Sequence, residues 1–268
     1  MEGFSFTPIS LYLRGIINHK SIKMKKIISL VALLATISLT AQQTFVLNPA
    51  MVDPDDSENF EMLIKKYGAE MAQDAVSDGL IEGWAVLKRV PGVGKVEDEK
   101  NNYLWVTIYE SPKKYVNRKS WFNAEKKYGI PNLMGGVDIQ RYGSFVYKTE
   151  KRYDNDLDAK YILFNWTFPK NLNSAMELGD KISSSFKSDM KKSGMASWGM
   201  ATRIIPQDSD LAPLFFWDAY ENMEQMIDHL MYNAAIKNVD QKLLGQLQEE
   251  LPNGWDKRII WEFVARTN

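Results

Sequence analysis

The residue in this sequence best suited to acid–base chemistry is Asp218, because it stands among aromatic side chains. Phe216, Trp217 and Tyr220 surround it in the segment LFFWDAY. A carboxylate buried among apolar groups has a raised pKa, and a carboxylate tuned in this way suits a general base. We therefore predict Asp218 as a candidate catalytic residue. The alternative is structural: Asp218 lies near a strand end and bonds a backbone amide or an arginine such as Arg203.

A set of polar and aromatic residues is expected to line the same space as Asp218. Side chains alternate between the two faces of a strand, so each predicted strand offers one inward and one outward set. In the strand at 103–110 we expect the aliphatic set to face helices and the aromatic and semi-polar set to face inward. In the second copy the residues expected on the helix side are Ile162, Phe164, Trp166, Phe168, Ile259, Trp261 and Phe263. A few polar groups in an apolar wall are typical of a small-molecule site. The predicted ligand-binding residues are Asn165, Tyr109, Tyr220, Glu262, Trp105 and Phe216.

The composition excludes several kinds of chemistry. Cysteine is absent and only two histidines occur, His19 and His229. Disulfides, thiolate nucleophiles and a lipoprotein anchor are therefore excluded, and no multi-histidine metal site is expected. The 33 basic and 34 acidic residues provide no basic footprint for nucleic acid. The GVGK segment at 92–95 lacks the spacing and the following Ser or Thr of a phosphate-binding loop.

His229 is the one histidine to be tested as a cofactor ligand. Haem iron can be held by a single histidine. In the predicted helix around it, the apolar arc consists of Met223, Ile227, Leu230, Met231 and Ala234. His229 falls off this arc, which predicts a surface position and argues against haem. The sequence thus predicts neither a cofactor nor a metal.

The N-terminal segment reads as a leader for export. Lys25 and Lys26 precede a largely apolar run at 27–39, and Ala41 is a small residue at a plausible cleavage point. The run is shorter than the about 20 residues needed to span a bilayer, and its order is that of a signal peptide. The simplest start is Met24. The leader resembles those of Bacteroidota secreted proteins, so we expect a periplasmic or secreted protein without a membrane span in its mature part.

The remainder contains an internal repeat. Residues 76–90 align with 190–204, and residues 103–112 align with 214–223 at nearly the same offset. The matched residues are Trp84 with Trp198, Arg89 with Arg203, and Tyr109 with Tyr220. We expect the tryptophans to be core residues. The arginines are expected to pair with acids at strand ends; the alternative is that they bind a carboxylate ligand.

Each copy shows the same order of elements. Hydrophobic periodicity predicts strands at 45–52, 80–90, 103–110 and 144–150 in the first copy, and at 161–168, 195–205, 214–221 and 258–265 in the second. Predicted helices end at Gly79 and near Tyr128 in the first copy; those in the second cover 173–193 and the region around 223–231. The polar segment 148–160 is a predicted linker. The expected domains are 42–152 and 153–268, after the leader at 1–41.

The order βαββαβ is that of an α+β ferredoxin-like unit, whose sheet has one uncovered face. Two tandem units can hide these faces by packing their antiparallel sheets as a pseudo-dimeric α/β barrel. On this basis residues 42–268 resemble the dimeric α/β-barrel superfamily, which includes the antibiotic-biosynthesis monooxygenases and NIPSNAP-like proteins. The resemblance implies a cofactor-free monooxygenase-like enzyme acting on a small, partly apolar molecule. A non-enzymatic envelope or interaction protein is the alternative, and further oligomerisation is left open.

Overall fold

A computed structural model describes residues 43–91, 101–231 and 234–267 of the chain. The predicted leader at 1–41 and the GVGK segment at 92–95 lie outside these residues. Within them, no helix has both the length and the apolar character needed to cross a membrane.

The first half of the described chain follows the predicted order, with one additional short strand. Asp53 caps the first helical segment by accepting a hydrogen bond from the Asp55 amide, and Gly79 follows the segment with φ of 65°, the left-handed conformation that favours glycine. The strands are β1 (Thr44–Val52), β2 (Gly83–Arg89), β3 (Tyr103–Tyr109), β4 (Ile139–Arg141) and β5 (Phe145–Asp154). The helices are α1 (Ser57–Leu63), α2 (Ala69–Ser77), α3 (Pro112–Val116) and α4 (Ala124–Tyr128), with a π turn at Ile64–Gly68 between α1 and α2.

The second half has the same order of strands and helices. Asn171 and Asn222 cap its first two helices by accepting hydrogen bonds from backbone amides, as short polar side chains do at helix starts. The strands are β6 (Tyr161–Thr167), β7 (Met195–Ile205), β8 (Leu214–Tyr220) and β9 (Lys257–Arg266). The helices are α5 (Leu172–Phe186), α6 (Met223–Leu230) and α7 (Gln241–Glu250). The predicted linker is wrong in part, because its first residues continue β5 as far as Asp154.

Eight strands form one closed antiparallel barrel. The order around it is β1-β3-β2-β9-β6-β8-β7-β5, and β5 returns to β1. The short strand β4 pairs with the end of β1 beside this ring. The two halves meet edge to edge, through β2 with β9 and β5 with β7. The prediction of an antiparallel barrel is confirmed, but it closes by joining strand edges and not by laying one bare sheet on another.

The predicted assignment of strand faces is wrong. In β3 the aliphatic residues Leu104, Val106 and Ile108 belong to the cluster inside the barrel. Tyr103 and Trp105 instead pack under the first helical segment, with their rings 4.7 and 5.3 Å from that of Phe60. The same reversal holds in the second half. There the interior contains Phe164, Trp166, Phe215, Trp217, Trp261 and Phe263.

The reversal has a physical cause. A sheet with one solvated face shows a clear alternation of apolar and polar residues. In this barrel helices cover the outside and side chains fill the inside, so both faces of most strands are buried. In β8, for example, all seven residues from Leu214 to Tyr220 are buried. Hydrophobicity alone then cannot tell which face is which.

Candidate functional site

One end of the barrel brings together polar groups inside the aromatic interior. Because all eight strands run antiparallel to their neighbours, the ends of β6 and β7 and the start of β5 lie at the same end. Trp166, Arg203 and Tyr147 occupy these positions, and we call them the rim cluster. Trp166 and Tyr147 belong to the interior cluster. Arg203 is directly opposite Tyr147 in the β5–β7 register and shares the inward face of Ala201.

Tyr147 and Trp166 are joined by a hydrogen bond. The Trp166 indole donates to the Tyr147 hydroxyl oxygen at 3.1 Å. Burial raises the pKa of Tyr147 above its ordinary value, although the Trp166 bond and the positive charge of Arg203 act against the shift. Tyr147 therefore stays protonated at neutral pH. Its oxygen is engaged as an acceptor, so its own hydrogen is directed elsewhere, and no described residue accepts it.

Arg203 is held by the hairpin between β7 and β8. Its Nη2 atom donates to the backbone carbonyls of Asp208, at 3.0 Å, and of Leu211. These bonds fix the guanidinium, but Nε and Nη1 are buried and have no hydrogen-bond acceptor among the described residues. None of the described acidic side chains forms an ion pair with Arg203. The expectation that it pairs with an acid is therefore wrong: its partners are carbonyl oxygens.

Aromatic rings form the wall around the rim cluster. The ring of Tyr147 is stacked on that of Phe45 at 5.2 Å between centroids and 9° between planes. Phe215 lies 5.2 Å from Tyr147 and 5.1 Å from Trp166. These separations are those of rings in direct contact. Phe45, Tyr147 and Phe215 are buried. Trp166 and Arg203 are only partly buried, so the cluster is exposed to solvent through these two residues.

Asp218 lies on the other side of the sheet, beneath α6. Its Oδ2 accepts a hydrogen bond from Asn165 at 2.9 Å, and Asn165 Oδ1 accepts one from Arg258 Nε at 2.8 Å. The Nε2 atom of His229, on α6, lies 3.8 Å from Asp218 Oδ1. Burial raises the pKa of Asp218, while the charges of His229 and Arg258 and the Asn165 bond act in the other direction. The predicted raised pKa is confirmed in direction. The role of Asp218 as a base stays a prediction, now for a position outside the barrel.

His229 is buried, and its predicted surface position is wrong. Only 6% of it is exposed, whereas Ile227 and Met231 of the predicted apolar arc are 41% and 58% exposed. The helix is thus rotated from the predicted orientation, so that Met226 and His229 face the sheet. Burial lowers the pKa of His229, although the negative charge of Asp218 acts against this shift. The imidazole is therefore mainly neutral at neutral pH.

The residues around His229 do not fit a haem. Its ring lies 5.5 Å from that of Tyr220 on one side and faces Asp218 on the other. Helix α5 packs directly on the sheet: a Cβ atom at Gly179 would lie 2.9 Å from Met200 Sδ and 3.1 Å from Phe216. The described side chains here leave no slot for a macrocycle, so we assign no reaction step to one.

The remaining predicted ligand-binding residues also lie outside the barrel. Phe216 and Tyr220 pack under the helices of the second half, and burial together with the charge of Asp218 raises the pKa of Tyr220. Tyr109 contacts Tyr115 under α3, with ring centroids 5.6 Å apart. Glu262 is exposed on β9. The structure thus brings Asn165, Asp218 and Tyr220 together, but not with Trp105, Tyr109 or Glu262.

A groove among the described residues lies outside the barrel, along α1. It has a volume of about 720 Å³ and is lined by Pro54, Ser57, Glu58, Glu61, Met62, Lys65, Lys66 and Lys88. Glu61 accepts hydrogen bonds from Lys88 at 2.7 Å and Tyr103 at 2.9 Å. Partial burial acts to raise the pKa of Glu61, but these bonds outweigh it and lower the pKa. Lys65 and Lys88 both form ion pairs with Glu61, which is typical of a structural network.

Sequence reasoning missed Tyr147 and Trp166 as site residues. Strand parity in the sequence predicts Trp166 on the helix side, and no sequence pattern singles out Tyr147. Alanine residues in the strands indicate which strand face lies inside the barrel. Ala85, Ala201 and Ala219 all lie inside the barrel, where small side chains alternate with large ones to fit a narrow interior. Their parity along β2, β7 and β8 identifies the inward set.

Comparison with solved structures places this architecture among known folds. A candidate monooxygenase from Fusobacterium nucleatum subsp. nucleatum aligns over 86% of this chain and 96% of its own, with a TM-score of 0.57 and 12% identity. A candidate monooxygenase from Lactobacillus acidophilus aligns over 85% and 96%, with a TM-score of 0.51 and 10% identity. No family model and no curated protein matches the chain. With the closed antiparallel barrel, these similarities show that the chain has the dimeric α/β-barrel fold of the ferredoxin-like type.

Proposed function

We propose that this protein binds a small, partly aromatic molecule at the rim cluster. The observation that carries the proposal is the unused hydrogen-bonding capacity of Arg203, whose Nε and Nη1 are buried without an acceptor among the described residues. A buried charged donor without a partner costs several kcal/mol. Such a group is therefore expected to be matched by a ligand. The adjacent rings of Trp166 and Tyr147 offer the apolar contacts that a small-molecule site requires.

The chemistry that best suits this site is cofactor-free monooxygenation. Two solved structures with the same fold are named as candidate monooxygenases. This supports monooxygenation as a reaction that the fold can accommodate. In such a reaction an electron-rich phenolate gives electrons directly to O2. One oxygen atom becomes bonded to a ring carbon and the other leaves as water. Arg203 would stabilise the anionic form of the substrate, and Tyr147 would orient its oxygen.

Replacement of Trp166 tests binding at the rim cluster. We expect the neutral probe 2-naphthamide to quench tryptophan fluorescence in the wild-type protein, and Trp166→Leu to weaken its binding about tenfold, because base-sized rings gain about 1–3 kcal/mol by stacking on aromatic side chains. Trp121→Phe is the matched control, since Trp121 packs outside the barrel against Trp84. Equal affinity of the wild type and Trp166→Leu, or a loss in the control alone, would remove the rim cluster as the site.

The monooxygenase part of the proposal has its own readout. With 1-naphthol as probe, the wild-type protein should consume O2 faster than a protein-free solution and yield a naphthoquinone and water. Trp166→Leu should lower this rate. If 2-naphthamide binds but 1-naphthol causes no additional O2 uptake, the protein is a binding protein and this chemistry is withdrawn.

A second candidate function is that of a non-enzymatic interaction protein, and the close packing inside the barrel favours it. Phe164 lies 4.9 Å from Phe215, and Trp217 lies 5.9 Å from the same ring. These contacts fill the middle of the barrel, so a ligand would be limited to its end. Failure of both naphthalene probes to bind at millimolar concentration would support this second function.

We also propose that the chain is exported and that its two halves arose by tandem duplication. Support for duplication comes from the aligned segments at 76–90 and 190–204 and from the equivalent edge positions of β2 and β7 in the barrel. For export, the expected result is that the protein recovered from the periplasm or medium of a producing bacterium begins near Gln42. Intact mass measurement gives this directly, and a mature protein that retains Lys25 and Lys26 would contradict it.

A further inference from the structure

The polar groups of the rim cluster that lack a partner among the described residues are all hydrogen-bond donors. Arg203 offers N–H donors on two buried nitrogen atoms, Nε and Nη1. Tyr147 offers its O–H, because its oxygen already accepts the Trp166 indole N–H at 3.1 Å. Both residues face inward and stand directly opposite each other on β5 and β7, so their side chains are near neighbours. A site that offers donors and a positive charge recognises an acceptor with a negative charge.

The position of Arg203 is fixed before any ligand arrives. Two carbonyl groups of the β7–β8 hairpin hold Nη2, and the Arg203 amide donates to the Pro213 carbonyl at 2.9 Å. Holding the guanidinium in place reduces the entropy cost of binding. The carbonyls occupy one nitrogen only, and carbonyl oxygens carry no net charge. The positive charge therefore remains uncompensated within the barrel.

The walls determine the shape of the anion. Phe215 contacts both Tyr147 and Trp166, and Phe45 is stacked on Tyr147. Flat rings offer contact area to a flat ligand, and Trp166 is partly exposed at this end of the barrel. From the donors and the walls, and resting on the proposed function, we infer that the ligand is a planar aromatic molecule with an anionic oxygen group, which Arg203 and Tyr147 bind.

The same donor set defines which ligands should be rejected. A neutral amide of the same shape keeps the ring contacts but has no charge to offset that of Arg203. A cation would meet repulsion from the guanidinium. The inference thus predicts a preference for charge at constant ring size, which separates it from simple aromatic binding.

The test compares 2-naphthoate with 2-naphthamide at pH 7.5, where the carboxylate is ionised. The wild-type protein should bind 2-naphthoate at least about tenfold more tightly than 2-naphthamide, as expected for a charge-assisted hydrogen bond. In Arg203→Met the two probes should bind with equal affinity, and Arg203→Lys should give an intermediate preference. Arg152→Met is the control, because Arg152 is an exposed arginine at the other end of β5; it should keep the wild-type preference.

Each outcome of this test has one meaning. If both probes bind the wild type equally, the anion inference is overturned while the proposed function stands. If the preference for 2-naphthoate survives in Arg203→Met, the anion is recognised elsewhere and the inference is also overturned. If neither probe binds, the proposed function and the inference fail together. Circular dichroism of Arg203→Met and Arg203→Lys establishes that loss of preference is not loss of fold.

Discussion

Replacing Gly199 with alanine is expected to destabilise the barrel by about 3 kcal/mol, the upper part of the usual range for overpacking. Gly199 faces inward on β7, directly opposite Trp217 on β8. The Trp217 indole covers the glycine so closely that a Cβ atom there would lie 1.9 Å from Cζ2. Since the Trp217 Nε1 also donates to Ser197 at 3.1 Å, the ring cannot move away without breaking that bond. Urea denaturation measures the loss.

Gly245 provides the matched control. It lies within α7, where a Cβ atom would meet nothing within 4 Å. Gly245→Ala should therefore stabilise the protein by about 0.5–1 kcal/mol, because alanine restricts the unfolded helix segment more than glycine does. In addition, Gly199→Ala combined with Trp217→Leu should cost less than the sum of the two single changes. Additive losses would show that Trp217 does not cover Gly199.

The second large effect is expected at Asp218. Asp218→Ala removes the acceptor of the Asn165 amide and should cost about 2 kcal/mol, since a buried donor is left unpaired. Asp218→Asn keeps an oxygen in the same place and should cost much less. Asp228→Asn, at an exposed position on α6, serves as the control and should change the free energy of unfolding by less than about 0.5 kcal/mol.

The raised pKa of Asp218 determines the direction in which the stability of the two proteins should differ as pH changes. Burial raises the pKa of Asp218 in the folded state above its ordinary value. The stabilising contribution of this group is thus complete below the ordinary pKa of an aspartate, about 3.9, and is lost as pH rises through the folded pKa. Relative to the wild type, Asp218→Asn should become more stable as pH rises from 4 to 8. Asp218→Asn also removes the negative charge that opposes the lowered pKa of His229. The variant then loses more stability than the wild type as pH falls, so this effect has the same direction. A difference that does not change with pH would contradict the burial of a charged Asp218.

Much of the fold could be predicted from the sequence because its local signals are strong. The cap at Asp53 and the left-handed glycine at Gly79 mark the ends of the first helical segment. Ser111 caps α3 through the Lys114 amide, and Trp84 and Trp198 are buried as expected. Such signals depend on neighbouring residues and local dihedral preferences, which a single sequence contains.

The site could not be predicted in the same way, because it depends on which strand face is inside. That choice reverses all inward and outward residues at once, and strands buried on both faces give no contrast between them. His229 shows the same difficulty for a helix. The predicted apolar arc of α6 includes Ile227, but this residue is exposed. His229 is buried in its place, because the strand residue Asp218 provides a buried polar partner for it. Such a partner is distant in the sequence, so helix periodicity alone does not reveal it.

A crystal structure of the protein with 2-naphthoate tests the central claim most directly, because it separates the three positions that the molecule offers. We predict density for the naphthalene ring at the rim cluster, in contact with Trp166 and with its carboxylate at Arg203 and Tyr147. Density beneath α6 beside Asp218, or in the groove of Glu61 and Lys88, would contradict the account, because the ligand would then lie outside the barrel.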